Sequence, residues 1–485
     1  MPVTEPEPAT LAPEDTGSPA PRRSFSALVT IVCSIVVAIY IAMPVGPLIQ
    51  GSASPLAQLE HPEDSLERLV TRELDLREAM RHGLHWEWRV YRMLSGDEDP
   101  IREARAWYEE LSETVHSPSA ELHLTILRAE SGEVDRAEEA IRQWKSWGES
   151  GQRMGGWVSA AYLDPPPGVE AARVLIADIR DEREPDWFTD TLTARIATRV
   201  GDTATRSQAQ TAILARGRAL QLRLRLLMAL VAGLLVLGVL ALMRVLTQRS
   251  PLRVADAPIP PDWSSGDGYA LFVRALGAPQ AIILVIFFLL RRDTPFETPL
   301  GMAADLLIFW WVARYLRSRQ LSIHATFGLS PPRKTWRQLA GVTFILITLA
   351  LVSDSLIDAA GGLLGLKSHW ADGFSEDILW HPRWTFVLDC INVTVWAPVV
   401  EELTFRGLLY ATLRTRLAVW PSAILSAALF ALPHGYAAAG SLSVLVSGVL
   451  WAWAYERTRS LVPGFLAHSA NNLMSTLWVV GLLRM

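Results

Sequence analysis

Two adjacent glutamates and an arginine lie at the end of an apolar stretch in the C-terminal third of the chain. Glu401 and Glu402 directly follow the apolar residues 384–400, and Arg406 comes one helical turn after Glu402. An ionised side chain at the centre of a bilayer costs about 2.5–3.5 kcal/mol, so such groups usually face a protein interior or a wet cavity. Three of them in one membrane segment therefore indicate a functional site.

Two histidines are candidate partners for these carboxylates. His434 follows Phe430 by four residues, and His468 precedes Asn472 by four residues. Both histidines lie in segments that are otherwise apolar. The four-residue spacing puts His468 and Asn472 on one face of a helix.

The two glutamates can take different partners. Glu402 and Arg406 have the spacing of a helical ion pair. Neighbouring helical positions point about 100° apart, so the two carboxylates face different neighbours. One glutamate can therefore face the histidines while the other pairs with Arg406.

A carboxylate with two imidazoles has two well-known chemistries. Such a set can hold a divalent metal, as in zinc hydrolases, or it can activate a water directly. A carboxylate in a water-poor site can act as the general base. Asn472 and one imidazole can donate hydrogen bonds to the oxyanion of a tetrahedral intermediate. Together these residue types indicate hydrolysis of peptide bonds within a membrane.

The composition is that of a membrane protein. The chain has 485 residues, of which 50% are hydrophobic, and its net charge of −5 gives no indication of a nucleic-acid partner. Apolar runs recur, and the longer ones match the roughly 20 residues that cross a hydrocarbon core. We therefore predict an all-α fold, a polytopic helical membrane protein of about eight or nine transmembrane helices with an inserted soluble helical domain.

The N-terminal residues are interpreted as a tail and an anchor. Residues 1–23 are rich in Pro, Glu, Ala and Thr, which is typical of a disordered tail. Residues 24–51 carry no charge and exceed the apolar region of a cleaved signal peptide, so we interpret them as a transmembrane signal anchor. Arg22 and Arg23 place the tail in the cytoplasm by the positive-inside tendency.

Residues 52–215 contain frequent charges and no spanning run, which predicts a soluble helical domain. Residues 122–147 have helical apolar spacing around Gly132, which resembles the helix–turn–helix of a tetratricopeptide-like repeat. A weaker occurrence of the same helix–turn–helix pattern lies around Gly201. A repeat array and an irregular helical domain are both open interpretations. By alternation of the spans this domain lies outside the cytoplasm, where it can bind a protein partner.

The rest of the chain is predicted to be mostly in the membrane. Residues 216–269 hold the second transmembrane helix and a connector, and residues 270–485 hold a larger membrane domain. The spans after the anchor are predicted at 226–243, 275–290, 299–313, 339–353, 384–400, 421–432, 442–455 and 463–483. This topology puts most of the dense arginine clusters in the cytoplasm. Lysine occurs only at 145, 334 and 367, which is typical of a GC-rich bacterial genome and indicates the bacterial inner membrane.

Depth along the helices is consistent with one site. At about 1.5 Å per residue, Glu401, His434 and His468 lie roughly 14–20 Å from helix ends that this topology assigns to the cytoplasm. The three side chains can therefore meet in one layer between the bilayer midplane and the cytoplasm.

Three motifs in order resemble a known protein family. They are EExxxR at 401–406, FxxxH at 430–434 and HxxxN at 468–472, each in an apolar segment. This arrangement resembles the CAAX prenyl endopeptidase and bacteriocin-processing family of intramembrane proteases, also called CPBP or Abi proteins, over roughly residues 380–485. The resemblance implies that 270–485 is a protease domain of this family with an active site open to the cytoplasm. It also implies cleavage of membrane-anchored or prenylated, CAAX-type, proteins or peptides.

The resemblance implies a role for each motif residue. Glu401 would activate the water with His434 beside it, and His468 and Asn472 would hold the oxyanion. The implied catalytic set is Glu401, Glu402, Arg406, His434, His468 and Asn472. In a metal-dependent version, Glu401, His434 and His468 would bind zinc or another divalent ion. A metal-free glutamate mechanism is the alternative that the resemblance also allows.

Two other functions would use the same residues differently. Buried Glu, Arg and His also line the ion or proton paths of coupled transporters, although no inverted repeat is visible here. A non-proteolytic membrane scaffold or bacteriocin-immunity protein is the other alternative, with residues 52–215 binding its partners. Survival of function in a Glu401→Ala variant would favour that alternative.

Four further carboxylates lie in or near the predicted spans: Asp305, Asp354, Asp358 and Asp389. Intramembrane acidic side chains usually face the protein interior and find a polar partner there. We interpret these four as polar interior contacts or helix-end residues and not as catalysts.

Overall fold

A computed structural model describes residues 25–50, 56, 59–95, 99–248, 252–289, 296–364, 369–371, 374 and 376–484. Every regular element in these residues is a helix, so the predicted all-α fold is confirmed. The predicted tail, residues 1–23, lies outside the described part of the chain. The α-helices are α1 (Ala27–Gln50), α2 (Pro62–Arg81), α3 (His85–Ser95), α4 (Pro100–Thr114), α5 (Pro118–Glu130), α6 (Val134–Trp144), α7 (Gly148–Tyr162), α8 (Val169–Glu182), α9 (Trp187–Arg199), α10 (Thr203–Gln248), α11 (Ser265–Leu289), α12 (Glu297–Ser318), α13 (Ile323–Phe327), α14 (Trp336–Leu364), α15 (Glu376–Trp380), α16 (Arg383–Ile391), α17 (Ala397–Glu401), α18 (Ala411–Leu413), α19 (Val419–Ala431), α20 (Ala438–Thr458) and α21 (Val462–Trp478).

Long apolar helices confirm that the protein is a polytopic membrane protein. Those with the length and hydropathy of a membrane span are Thr203–Gln248, Ser265–Ile286, Arg333–Leu364 and Ala438–Thr458. Ala27–Met43 and Val419–His434 are shorter apolar helices. Each predicted span overlaps a helix of the described residues. The total of about eight or nine spans stays a prediction.

Helix α2, helices α4 to α9 and the first half of α10 surround a separate apolar core. Leu66, Tyr108, and Ile126 are fully buried in it. The turns at Gly132 and Gly201 have φ values of +93° and +75°, which favour glycine because it has no Cβ. The helix–turn–helix predicted around Gly132 is therefore formed, by α5 and α6. Its assignment to the tetratricopeptide class and the domain boundaries 52–215 stay predictions.

Helix α10 connects this helical domain to the membrane part. Its first half buries Ala209, Ile213 and Leu220, whereas the side chains of its apolar second half point mostly outwards. At Gly217 the helix approaches α2 so closely that a Cβ would lie 2.0 Å from the carbonyl oxygen of Asp75. The contact is therefore available only to glycine.

The two ends of the membrane helices differ in composition. At one end Arg319 lies 2.6 Å from Asp267, and Arg414 lies 3.1 Å from Glu456, which also pairs with Arg459. We call this end the arginine end. At the opposite end α1, α11 and α14 finish and α12 begins, and there the helical domain contacts the membrane part. We call this end the domain end.

The glutamate motif lies on a helix that runs without a break over residues 383–413, called the motif helix below. It consists of α16 to α18 and two π-helical segments, Asn392–Trp396 and Glu402–Tyr410. Pro398 has no N–H to continue the α-helical bonding pattern, which favours the wider turn before it. Segments with π geometry frequently lie at functional sites. The helix begins at the domain end and carries the motif towards the arginine end.

Candidate active site

Glu402, Arg406 and His468 form a polar cluster inside the membrane part. Oε1 of Glu402 lies 3.1 Å from Nη1 of Arg406 and 3.2 Å from Nδ1 of His468. The Arg406 and Glu402 side chains are only 0% and 2% exposed. Because a carboxylate accepts hydrogen bonds, His468 donates through Nδ1 and keeps Nε2 for another contact. A buried charge is costly unless it is compensated, so each of these groups depends on the others.

Glu401 lies on the other side of His468. Its Oε2 is 3.6 Å from Nε2 of His468, and its side chain is 27% exposed. His468 therefore lies between the two glutamates. This differs from the predicted division of partners, because Glu402 contacts both Arg406 and His468. Glu401 is left as the carboxylate with an open side.

His434 is oriented by the carbonyl that lies one turn before it. Its Nδ1 lies 2.9 Å from the oxygen of Phe430, so Nδ1 donates and Nε2 is the ring nitrogen left for other contacts. The Phe430 ring centroid lies 4.9 Å from the His434 ring and 4.3 Å beneath the Arg406 guanidinium. Gly435 follows with φ +67° and ends the helical segment. Phe430 thus fixes the relative positions of the imidazole and the buried arginine.

Glu401 and His434 face one cavity of about 320 Å³. Asp305, Tyr40 and Thr404 also line it. Of the predicted site residues, Glu402, Arg406, His468 and Asn472 lie behind this wall and do not line the cavity. Two of the six predicted site residues therefore line the cavity, and the other four lie behind its wall.

Asn472 lies on the same helix as His468 but has a different partner. Its side-chain amide donates to the carbonyl of Val393 at 2.9 Å, within the first π-helical segment of the motif helix. That bond joins α21 to the motif helix. The predicted oxyanion role stays a prediction, and in this structure the amide group connects the two helices.

Two glycines allow helices to approach the buried cluster. A Cβ at Gly464 would lie 3.1 Å from Oε2 of Glu402. A Cβ at Gly448 would lie 2.8 Å from Cβ of Ala427 and 3.1 Å from Nη2 of Arg406. Side chains larger than hydrogen at these positions would push against the cluster, so close helix packing holds it in place.

The ligand atoms of the predicted metal set, Glu401, His434 and His468, are not gathered at one point. Within the described residues, carboxylate and imidazole ligand atoms gather within 4.8 Å in two groups, Glu67 with His123 and Asp186, and Asp377 with His381 and Asp389. Glu401, His434 and His468 are not among these groups, so their ligand atoms do not all lie within 4.8 Å of one another. Three ligands for a tetrahedral zinc ion need donor atoms that converge on one point.

Several cavity residues were not predicted from the sequence. Asp305 on α12 accepts a hydrogen bond from Nε1 of Trp396 at 3.1 Å and lines the cavity beside Glu401. Its interpretation as a polar interior contact is correct for the Trp396 bond, but its exposure to the cavity was missed. A carboxylate inside an apolar span was the available signal. Tyr40 gave no such signal, because a tyrosine in an anchor helix is ordinary.

The fold and the site define a helical membrane protein with a carboxylate–imidazole centre at an internal cavity. Residues 383–474 match the model of a family described as type II CAAX prenyl endopeptidase Rce1-like. The match confirms the resemblance inferred from the three motifs, and it includes all six predicted site residues. No curated protein and no solved structure matches the chain. At the level of the family, the match implies protease activity of the CAAX type in a membrane.

Proposed function

We propose that the protein is an intramembrane endopeptidase that cleaves membrane-anchored or prenylated, CAAX-type, proteins or peptides with a water activated by Glu401 and His434. The observation that carries the proposal is that these two side chains face the same cavity, with the Glu402–Arg406–His468 cluster directly behind them. The family match over residues 383–474 supports the same activity.

Glu401 is the proposed general base. It removes a proton from a water in the cavity while the water oxygen attacks the carbonyl carbon of the scissile bond. The tetrahedral intermediate collapses when the C–N bond breaks, and the leaving amine takes the proton from Glu401. In the neutral ring of His434, Nε2 carries a lone pair because Nδ1 donates to Phe430, so this nitrogen can hold the same water. Because Glu401 and His434 hold the water beside the scissile bond, its attack becomes an effectively unimolecular step.

Glu402, Arg406 and His468 are proposed to orient Glu401 rather than to react. His468 is held by Glu402 at 3.2 Å and reaches Glu401 with its second nitrogen. Asn472 supports the arrangement by fixing the motif helix at Val393. A base whose position is set by buried neighbours loses little entropy in the reaction.

The proposed mechanism uses no metal, since the ligand atoms of Glu401, His434 and His468 do not all lie within 4.8 Å of one another. We expect the cleavage rate to be unchanged by a chelator such as EDTA. Elemental analysis of the purified protein is expected to find no stoichiometric transition metal. Activity lost to the chelator and restored by zinc would instead support the metal-dependent version.

The decisive variant is Glu401→Gln, which keeps the size of the side chain and removes the base. With an internally quenched, farnesylated peptide ending in a CAAX sequence, we expect a rate lower by about 10²- to 10⁴-fold. Asp358→Asn is the matched control, because Asp358 is an exposed carboxyl on α14 that does not line the cavity. Equal rates for wild type and Glu401→Gln would refute the proposal. If the wild type leaves this peptide intact, substrates trapped on Glu401→Gln can be identified by mass spectrometry.

The long apolar helices and the family match support an integral membrane protein. We propose the bacterial inner membrane as its location, with residues 52–215 outside the cytoplasm according to the positive-inside tendency. Lipid and a protein substrate are its proposed partners. The arginine end would then face the cytoplasm.

A further inference from the structure

We infer that the polypeptide substrate reaches Glu401 and His434 from the domain end of the membrane helices, so that its extramembrane part lies on the same side as residues 59–215. This inference rests on the proposed function. It specifies which class of substrate the site can take, namely membrane polypeptides whose cleaved segment is presented on the side of the helical domain.

The first observation is the position of the cavity along its helices. On α11 the lining residues begin at Leu276, and on α12 they end at Ile308. On the motif helix they end at Phe405. On α11 and α12 the lining residues occupy the half that is nearer to the domain end, to within about a residue, whereas on the motif helix they lie around its middle, from Asn392 to Phe405. The cavity therefore extends from Glu401 towards that end.

The second observation is that the opposite half is filled. Leu408, Tyr410, Leu316 and Leu271 are buried in one apolar cluster on the arginine side of Glu401. Nε1 of Trp263 donates to Oγ1 of Thr412 at 3.1 Å within this region, and both groups are buried. Protein interiors packed in this way leave no channel for a peptide. Access from the arginine end is therefore blocked by the hydrophobic core.

The third observation is that one short helix, α15, both lines the cavity and contacts the helical domain. On α15, Asp377 lines the cavity, while the preceding residue Glu376 binds the helical domain. The Glu376 carboxylate accepts from the backbone N–H of Glu60 at 2.5 Å and of His61 at 3.0 Å, and from Oγ of Ser65 at 2.8 Å. Charge-assisted hydrogen bonds of this kind are among the stronger ones. The helical domain thus borders the mouth of the cavity.

The mouth is held in shape by a second polar network. Asp389, which is 3% exposed, accepts from Oγ1 of Thr298 at 2.7 Å and from Nδ1 of His381 at 2.8 Å. Arg484 donates to the carbonyl oxygen of His381 at 2.6 Å. Thr298 and Asp377 both line the cavity. The rim is therefore built from α12, the motif helix and the C-terminal segment, and α15 is fixed upon it.

This geometry brings two expectations into conflict. The family resemblance implies an active site open to the cytoplasm, whereas the charge pattern places the helical domain outside. The cavity and the domain lie at the same end of the helices, so both expectations cannot hold. The cavity opens on whichever side of the membrane holds the helical domain, and labelling from each side identifies which expectation is wrong.

The test is thiol labelling in a background with Cys33→Ala and Cys390→Ala. Gly301→Cys places a thiol in the cavity, where a Cβ meets nothing within 4 Å. Arg136→Cys marks the exposed surface of the helical domain, and Lys334→Cys marks the arginine end. A small, charged, membrane-impermeant thiol reagent is applied to right-side-out and inside-out vesicles from the expression host.

We expect Gly301→Cys and Arg136→Cys to be labelled in the same vesicle orientation and Lys334→Cys in the opposite one. Labelling of Gly301→Cys together with Lys334→Cys would overturn the inference. So would labelling of Gly301→Cys only after detergent is added, since the cavity would then be closed to water at the domain end. The labelling does not depend on catalysis. If Glu401→Gln cleaves normally, the proposed function fails while the direction of the cavity is still decided.

Discussion

Two arginines paired with carboxylates, one partly exposed in the helical domain and one buried in the membrane part, have very different surroundings. Arg216 donates from Nε to Asp75 at 2.7 Å and from Nη1 to Asp190 at 2.6 Å. Arg406 has one carboxylate near it and an aromatic ring below it, and none of its nitrogens makes a well-directed hydrogen bond within the described residues. Because Arg406 has a single carboxylate near it, it depends more on that one partner than Arg216 depends on either of its two.

The histidines of the two regions show the same contrast. His123 is 2% exposed, with Tyr108 at 3.0 Å from Nδ1, Arg183 at 3.2 Å from Nε2, and the ring of Phe188 stacked on it at 4.0 Å. Burial lowers the pKa of His123 well below its usual value. His434 has one bound nitrogen and a cavity beside it.

Glu67, His123 and Asp186 have the spacing of metal ligands, yet hydrogen bonds occupy both nitrogens of the His123 imidazole. The comparison shows that a side chain facing a cavity, and not residue type, distinguishes a candidate site from a structural network.

The largest expected effect is on His434. His434→Ala is expected to lower the turnover of the CAAX peptide by about 10²- to 10⁴-fold with little change in thermal stability, because a group that holds the water is lost. His123→Ala is the matched change in the helical domain. It is expected to preserve turnover per folded molecule and to lower stability by about 1–3 kcal/mol, since two polar partners lose their hydrogen bonds. Loss of turnover in a fully folded His123→Ala protein would break the comparison.

The next effect concerns the buried ion pair. Arg406→Gln is expected to cost about 3–5 kcal/mol of stability, because Glu402 keeps a buried charge without its cation. The double variant Glu402→Gln with Arg406→Gln is expected to recover much of this loss, since both charges are removed. Arg216→Gln, in the partly exposed network, is expected to cost about 1–3 kcal/mol. Denaturant unfolding in detergent measures all three, and a double variant as unstable as Arg406→Gln alone would contradict the interpretation.

The smallest effect sharpens the comparison through pH. Burial, together with the nearby charge of Asp186, raises the pKa of Glu67 to about 7 from an ordinary value of 4.5. The folded state therefore binds more protons than the unfolded state between these values, so stability falls as pH rises from about 4.5 to about 7 and levels off above that range. Glu67→Gln removes the charge and is expected to raise the thermal midpoint relative to wild type at pH 8 but hardly at pH 4.5. An equal difference at both pH values would exclude this titration as the cause.

The sequence predicts the helices and the motif residues well, for simple reasons. A bilayer demands long apolar runs, so each predicted span overlaps a helix. The i,i+4 pair of Glu402 and Arg406 follows from helix geometry alone and is present at 3.1 Å.

The direction of the cavity could not be predicted. Depth along a helix does not tell which neighbouring side chains fill the space above or below a given residue. Leu408 closes one side of Glu401, and Asp305 from a distant helix borders the other. The contact of Asn472 with Val393 also depends on a π-helical turn, which an ideal helical wheel does not contain.

The helical domain beside the cavity has a consequence for selectivity. From Arg383, the first residue of the motif helix, to Glu401 the helix rises by about 27 Å. A fully extended polypeptide spans that distance with about eight residues. Under the proposed function, a substrate held at the helical domain would need about that many extended residues to reach Glu401, so the distance between the held segment and the scissile bond would limit which polypeptides are cut.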